Sequence, residues 1–289
     1  MADRTSEPVP RLSREPDHDP AHSVLQATLA EALSSASRSQ SSRPPARNDS
    51  QRIPPVPASA RNSAAPATPG VTTVVLTHHQ PPPGTARLPF VQDSDSPTAA
   101  AFRVLRHKLR EVDSPRIIAI TSPNAAEGKT TCAIDLAMAL AEHGRSHVLL
   151  LEANFRSPHL AAALGFSPPS CFGAQMAAHM KTPASPWQVT AAFFPNLHVL
   201  AVDPASVGQW VLNPPALKNA MDQLRASSYE HIIVDCPPTL GSADVNVIED
   251  FTDGVLMTAV AGRTSATSLQ QAARHLAPAN ILGVVLLQR

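Results

Sequence analysis

Between residues 97 and 289, short apolar runs alternate with stretches of helical periodicity. Ile117-Ile118-Ala119-Ile120, His147–Glu152, Leu197–Ala201, His231–Asp235, Gly254–Val260 and Ile281–Leu287 show no polar alternation. That is the pattern of strands buried on both faces. Residues Cys132 to Ala141 are apolar nearly all round, as in a helix packed beneath other elements, and Gly144 ends them. Proline opens a helix over Pro214 to Arg225, and Thr264 or Ser265 opens another before the last strand. Residues 160 to 192, rich in Gly and Pro, read as irregular with short helices. Near the start of this region Phe102, Leu105, Leu109 and Val112 share one helical face, and Arg103, Arg106 and Arg110 a neighbouring one. The apolar stripe is expected to pack on the domain. The arginines are expected in solvent, the alternative being an acidic surface on a neighbouring subunit. Strands alternating with helices predict an α/β fold with three layers and a mainly parallel sheet.

Residues 1–96 break this pattern. Half of the chain's 30 prolines lie here among Ser, Ala, Arg and Gln, with almost no aromatic residue. Such a segment buries too little apolar surface to offset its ordering entropy, so a long disordered tail is expected over 1–96, ahead of a nucleotide-binding domain over 97–289. Leu25, Leu29 and Leu33 could form a short helix for a partner groove, although a transient helix is the better expectation. Val71 to Leu76 could add an edge strand, stopped by His78-His79 and the prolines at 81–83. The histidine pair has no third ligand nearby and reads as solvated.

Composition narrows the class. The net charge is zero, so nothing global points to nucleic acid or an anionic membrane. Cys132, Cys171 and Cys236 are odd in number and widely spaced, which suits a reducing cytosol better than a disulfide or zinc framework. No run approaches the ~18 apolar residues of a membrane span, and the first residues lack an apolar leader core. A cytoplasmic protein is expected, reaching the inner face of a membrane only through a partner.

The chemistry concentrates in residues 116–136, RIIAITSPNAAEGKTTCAIDL, which read strand, small-residue loop, Gly-Lys-Thr, helix. In that context backbone N–H groups of the loop and helix N-terminus converge on an anion. Gly128 admits close approach of phosphate, Lys129 reaches the β and γ oxygens, and Thr130 ligates Mg²⁺. Ala126, Glu127, Gly128, Lys129, Thr130 and Thr131 are the candidate nucleotide contacts; Pro123 stands where the general motif has Gly. Asp235, closing the run His231–Asp235, is the candidate second Mg²⁺ ligand. Glu152 and Asn154, after another strand, are expected to face the same crevice as Lys129, because ligands sit at the C-terminal ends of parallel strands.

With these residues in place, Pro97 to Arg289 resembles the bacterial tyrosine kinases of capsule and exopolysaccharide assembly. The likeness lies in the order of AFRVLRHKL, ITSPNAAEGKTT, LLLEANFRSP, YEHIIVDCPP, FTDGVLM and ILGVV. It implies a P-loop ATPase fold, ATP and Mg²⁺, and a cytoplasmic tyrosine kinase regulating polysaccharide synthesis and export. It also implies a membrane co-polymerase or chain-length protein as partner, engaged through that protein's cytoplasmic tail, and a ring of subunits. By the same resemblance Lys129, Glu152 and Asp235 are the catalytic candidates, Glu152 standing for the first carboxylate of an Asp-x-Asp motif. The chain departs from the family at several places. Asn154 replaces the second carboxylate, Leu287 an adenine-reading Asn, and Ala100 a Glu ahead of Arg103 and Arg106. The family's C-terminal tyrosine cluster is missing, and Tyr229, the only tyrosine, precedes a buried strand and is expected to be packed. These departures leave a catalytically weak ATP-binding adaptor as an alternative. A MinD- or ParA-like switch comes third, because Asn124-Ala125-Ala126 lacks that group's early loop lysine.

Overall fold

The computed structural model describes residues 74–79, 88–111, 114–144 and 146–288. The leucine face at Leu25, Leu29 and Leu33, and Val112, lie outside the described residues. The strands are β1 (Val74–His79), β2 (Ile117–Thr121), β3 (Val148–Glu152), β4 (Trp187–Ala192), β5 (Leu197–Leu200), β6 (His231–Asp235), β7 (Gly254–Val260) and β8 (Ile281–Leu287). The helices are α1 (Pro89–Gln92), α2 (Pro97–Glu111), α3 (Lys129–Ala141), α4 (Leu160–Leu164), α5 (Phe172–Lys181), α6 (Pro214–Ala226), α7 (Asp244–Glu249) and α8 (Ala266–Leu276). Among the described residues none of these helices is long and apolar enough to cross a membrane.

All eight strands form one sheet in the order β1-β4-β5-β3-β6-β2-β7-β8. Every neighbouring pair is parallel except β4 with β5. The unbroken apolar runs follow from burial on both faces. Ile117 and Ala119 of β2 enter a core with α5, α6, α7 and α8, while Ile118 and Ile120 enter the opposite core with α2, α3 and α4. The three layers and the mainly parallel sheet are therefore as the pattern predicts.

Three local readings change. The edge strand expected at 71–76 is found at Val74–His79, pairing in parallel with β4 from Val74 opposite Trp187. His79 sits with its ring 5.5 Å from that of Phe166. Ordered structure thus precedes residue 97, and Leu88 and Phe90 are buried beside α2 and α3. Each such side chain contributes about 1.5–3 kcal/mol of apolar burial. Residues 187–192, read as irregular, form β4, whose antiparallel contact with β5 and mixed composition hide it from a search for apolar runs.

The arginines of α2 are the third change. Arg103 donates from Nε and Nη2 to the Glu142 carboxylate at 2.9 and 2.6 Å, and Arg106 donates to Glu142 at 3.3 Å and to the Ala139 carbonyl. Only Arg110 of the three is exposed. Two guanidinium groups therefore close the C-terminal end of α3, where cations also complement the helix dipole.

Candidate functional site

The loop from Ser122 to Gly128 joins β2 to α3 at the C-terminal edge of the sheet. Gly128 caps α3 with φ 78°, a left-handed conformation that glycine adopts without strain. A Cβ there would also meet Leu287 Cδ1, so a larger residue would have to displace that side chain. Lys129 folds back over the loop, donating from Nζ to Ser122 Oγ at 3.1 Å and to the Asn124 carbonyl at 3.4 Å. Burial lowers its ammonium pKa, against the pull of Asp235 and Glu127.

Strand β6 lies between β2 and β3, with Asp235 in register with Ile120 on one side and Glu152 on the other. Thr130 Oγ1 donates to Asp235 Oδ2 at 2.7 Å. Asp235 Oδ1 is fully shielded and has no hydrogen-bond partner among the described residues. Burial pushes this carboxyl up to about 6, opposed by the Thr130 hydrogen bond and then by Lys129 and His159. A hydroxyl beside a carboxylate with an uncommitted oxygen is a hard-oxygen donor set, which fits Mg²⁺. Two protein ligands suffice for an ion that shares its shell with phosphate and water. Among the described residues no group of three or more His, Cys, Asp or Glu forms an alternative cage.

Beside the loop opens a cavity of about 890 Å³. Ala126, Gly128, Lys129, Thr130 and Thr131 line it from one side, Asn154, Arg156 and His159 from the segment after β3, and Pro237, Pro238 and Ser242 from the segment after β6. That size accommodates a nucleotide.

The chain is similar in sequence and fold to known proteins. The tyrosine-protein kinase YwqD of Bacillus subtilis (strain 168) is 27% identical over 171 residues, spanning 58% of this chain and 70% of the kinase. The chain is thus similar to a bacterial tyrosine kinase. No family model matches the chain. The fold is also that of the chimerical protein CapA2B2, with TM-score 0.60 and 22% identity over 70% of this chain and 89% of that one. The kinase domain of the Escherichia coli tyrosine kinase ETK follows, with TM-score 0.58 and 22% identity over 69% and 79%.

In this structure the candidate residues separate into two groups. Lys129, Thr130, Thr131, Ala126, Gly128 and Asp235 come together around the loop. Glu152 and Glu127 do not present their carboxylates to the cavity. Glu152 is 0% exposed. Its Oε1 accepts from the backbone N–H groups of His159 at 2.6 Å and Leu160 at 2.8 Å, and its Oε2 from that of Val202 at 2.9 Å. Burial raises its pKa to about 7 despite these bonds. The expectation that Glu152 acts on substrate is corrected: it fixes backbone. Asn154, its companion, does line the cavity.

Glu127 accepts from Asn124 N at 2.7 Å, Asn124 Nδ2 at 3.2 Å and Thr264 Oγ1 at 2.8 Å, and its carbonyl accepts from Thr258 Oγ1 at 2.8 Å. Its side chain shapes the loop from behind, which leaves its backbone N–H as the group that could meet a nucleotide. Tyr229 is 3% exposed and its hydroxyl lies 2.7 Å from His198 Nδ1, in keeping with a packed tyrosine. Sequence reasoning missed His159, Ser157 and Ser242. Their only signal was proximity to the ends of β3 and β6, where polar residues are common in any loop.

Proposed function

We propose that the chain is a cytoplasmic ATP-dependent kinase that transfers phosphate to tyrosine on a protein partner. In this reading it regulates exopolysaccharide or capsule production beside a membrane co-polymerase, engaging that protein's cytoplasmic tail. The observation that carries the reading is the Thr130–Asp235 contact under a Gly-Lys-Thr loop, with Asp235 Oδ1 uncommitted. Lys129 and the loop N–H groups would hold the β and γ phosphates, and Thr130 with Asp235 would hold Mg²⁺. The ion, when bound, neutralises charge on the phosphate oxygens. The chain itself orients the nucleotide along the loop and confines it in the cavity between the segments after β3 and β6. The similarity to the tyrosine-protein kinase YwqD supports the acceptor class.

Titration with ATP tests this directly, with and without Mg²⁺, on the wild type and on Lys129→Ala and Asp235→Ala. Lys129→Ala should weaken binding about 100-fold or more, the scale of a lost charge-assisted contact. Asp235→Ala should abolish the Mg²⁺ dependence. A folded protein that ignores ATP and ADP at millimolar concentration would overturn the reading. Tight ATP binding with no transfer to a tyrosine-bearing partner tail would identify an adaptor instead.

A further inference from the structure

Transfer of phosphate to a hydroxyl releases one proton, and neither residue of the altered motif is free to take it. Glu152 spends both oxygens on three backbone N–H groups, and Asn154 is an amide. The amide has a different task. Ser157 N donates to Asn154 Oδ1 at 3.2 Å, and Asn154 Nδ2 donates to the Ser157 carbonyl at 2.7 Å, which fixes the orientation of the group. The same carbonyl lies 2.7 Å from His159 Nδ1. A carbonyl can only accept, so Nδ1 carries the hydrogen, and in the neutral ring Nε2 then keeps its lone pair. An aspartate at 154 could not donate to that carbonyl.

His159 lines the cavity that Lys129 and Thr130 also line, and it is exposed there. The charged groups around it are Lys129 and Arg156 in the lining, Asp235 at the end of β6, and Asp244, which accepts from Arg156 Nε at 3.0 Å. His159 shares that cavity with Thr130, which is bonded to Asp235.

We propose that His159 Nε2 accepts the proton of the hydroxyl that attacks the γ-phosphate, and that Asn154 positions it through the Ser157 carbonyl. This rests on the ATP-dependent transfer proposed above. As the acceptor oxygen bonds to the γ-phosphorus, its O–H bond breaks and the proton passes to Nε2. The bond from phosphorus to the β–γ bridging oxygen breaks, and its electron pair leaves with ADP. The imidazolium then returns the proton to water, which its exposure allows.

Three measurements test the proposal. Long-range ¹H–¹⁵N spectra of the nucleotide-free protein should show His159 as the Nδ1–H tautomer, and Asn154→Asp should shift that population; a predominant Nε2–H tautomer overturns the proposal. His159→Asn keeps a side-chain N–H for the Ser157 carbonyl and removes Nε2. It should lower kcat about 10²–10⁴-fold while ATP affinity by titration is unchanged. Added imidazole should restore part of the rate to His159→Ala. Wild-type turnover in His159→Asn with ATP affinity intact overturns the base assignment and leaves the nucleotide reading standing. A wild type that binds ATP but transfers to no hydroxyl, water included, overturns it too. Failure of the wild type to bind ATP instead defeats the underlying reading.

Discussion

Asp135 offers the sharpest physical test of the fold. It lies inside α3, in a run otherwise apolar from Cys132 to Ala141, and is 1% exposed. Its Oδ1 has no hydrogen-bond partner. Burial alone pushes its carboxyl from 3.8 up to about 7. At about 1.4 kcal/mol for each tenfold change in acidity, the charged form costs the folded state about 4 kcal/mol near neutral pH. The sign follows from linkage. A folded-state pKa above the unfolded one means that the native protein holds the proton more tightly. The stability is full below the unfolded value near 3.8 and is lost as pH climbs to about 7.

Asp135→Asn removes the charge and keeps the shape, with nearly the same helix propensity. Any fixed cost of unpaired amide hydrogens is the same at every pH, so the informative quantity is the change in the mutant-minus-wild-type difference. Between about pH 5 and about pH 8 that difference should move in favour of the mutant by about 2–3 kcal/mol. In urea this corresponds to about 1 M in relative midpoint for a domain of this size. Circular dichroism during urea unfolding at the two pH values measures it. If the two midpoints keep the same separation at both pH values, Asp135 is hydrated or paired in solution and the reasoning fails.

Two further outcomes are expected. Glu127→Ala should weaken ATP binding about tenfold, about 1.4 kcal/mol, by loosening the loop that its carboxylate braces; titration calorimetry on the folded mutant checks this. Glu142→Ala should destabilise the protein by about 1–2 kcal/mol, since it removes a two-pronged contact to Arg103 that is only partly exposed. The Arg103 hydrogen bond holds the Glu142 carboxyl below its ordinary 4.5, so this contribution is present above that value and fades as pH falls; urea midpoints on the wild type and mutant across the acid range report it.

Local physics made part of this legible in one dimension. Strands buried on both faces leave unbroken apolar runs, so β2, β3, β6, β7 and β8 could be read from residue type alone. Gly128-Lys129-Thr130 was readable because its chemistry depends on a strand behind it and a helix ahead, both of which have strong periodicity. Asp235 was readable because a carboxylate closing a buried run is costly without a purpose. The misreadings share a different origin. Arg103 and Arg106 meet Glu142 from another helix, 39 and 36 residues away. Glu152 meets the N–H of Val202, 50 residues on. Strand β4 exists because β1 and β5 pair with it, not because its own residues demand it. Partners supplied by tertiary structure leave no spacing to detect.

The two glutamates beside the site show why a motif and a role can part company. Glu152 sits in a row with Asp235 across β3 and β6, and the motif it stands in would have its carboxylate act on substrate. Instead it gathers the N–H groups that open α4 and follow β5, which fixes the course of the chain from Asn154 to Leu160. That segment carries Asn154, Arg156 and His159, three of the cavity's polar side chains. Glu127 does the equivalent for the phosphate loop, tying it to Thr264 and Thr258 at the end of β7. Carboxylates used this way add little negative charge where an anionic nucleotide would lie, since one is walled off and near neutrality and the other is turned inward. The cavity is left with Lys129 and Arg156 in its lining and Asp235 at its edge, a cationic lining that favours a polyphosphate. Loss of a motif carboxylate therefore need not mean loss of the site, because the same backbone can present a different proton acceptor in its place.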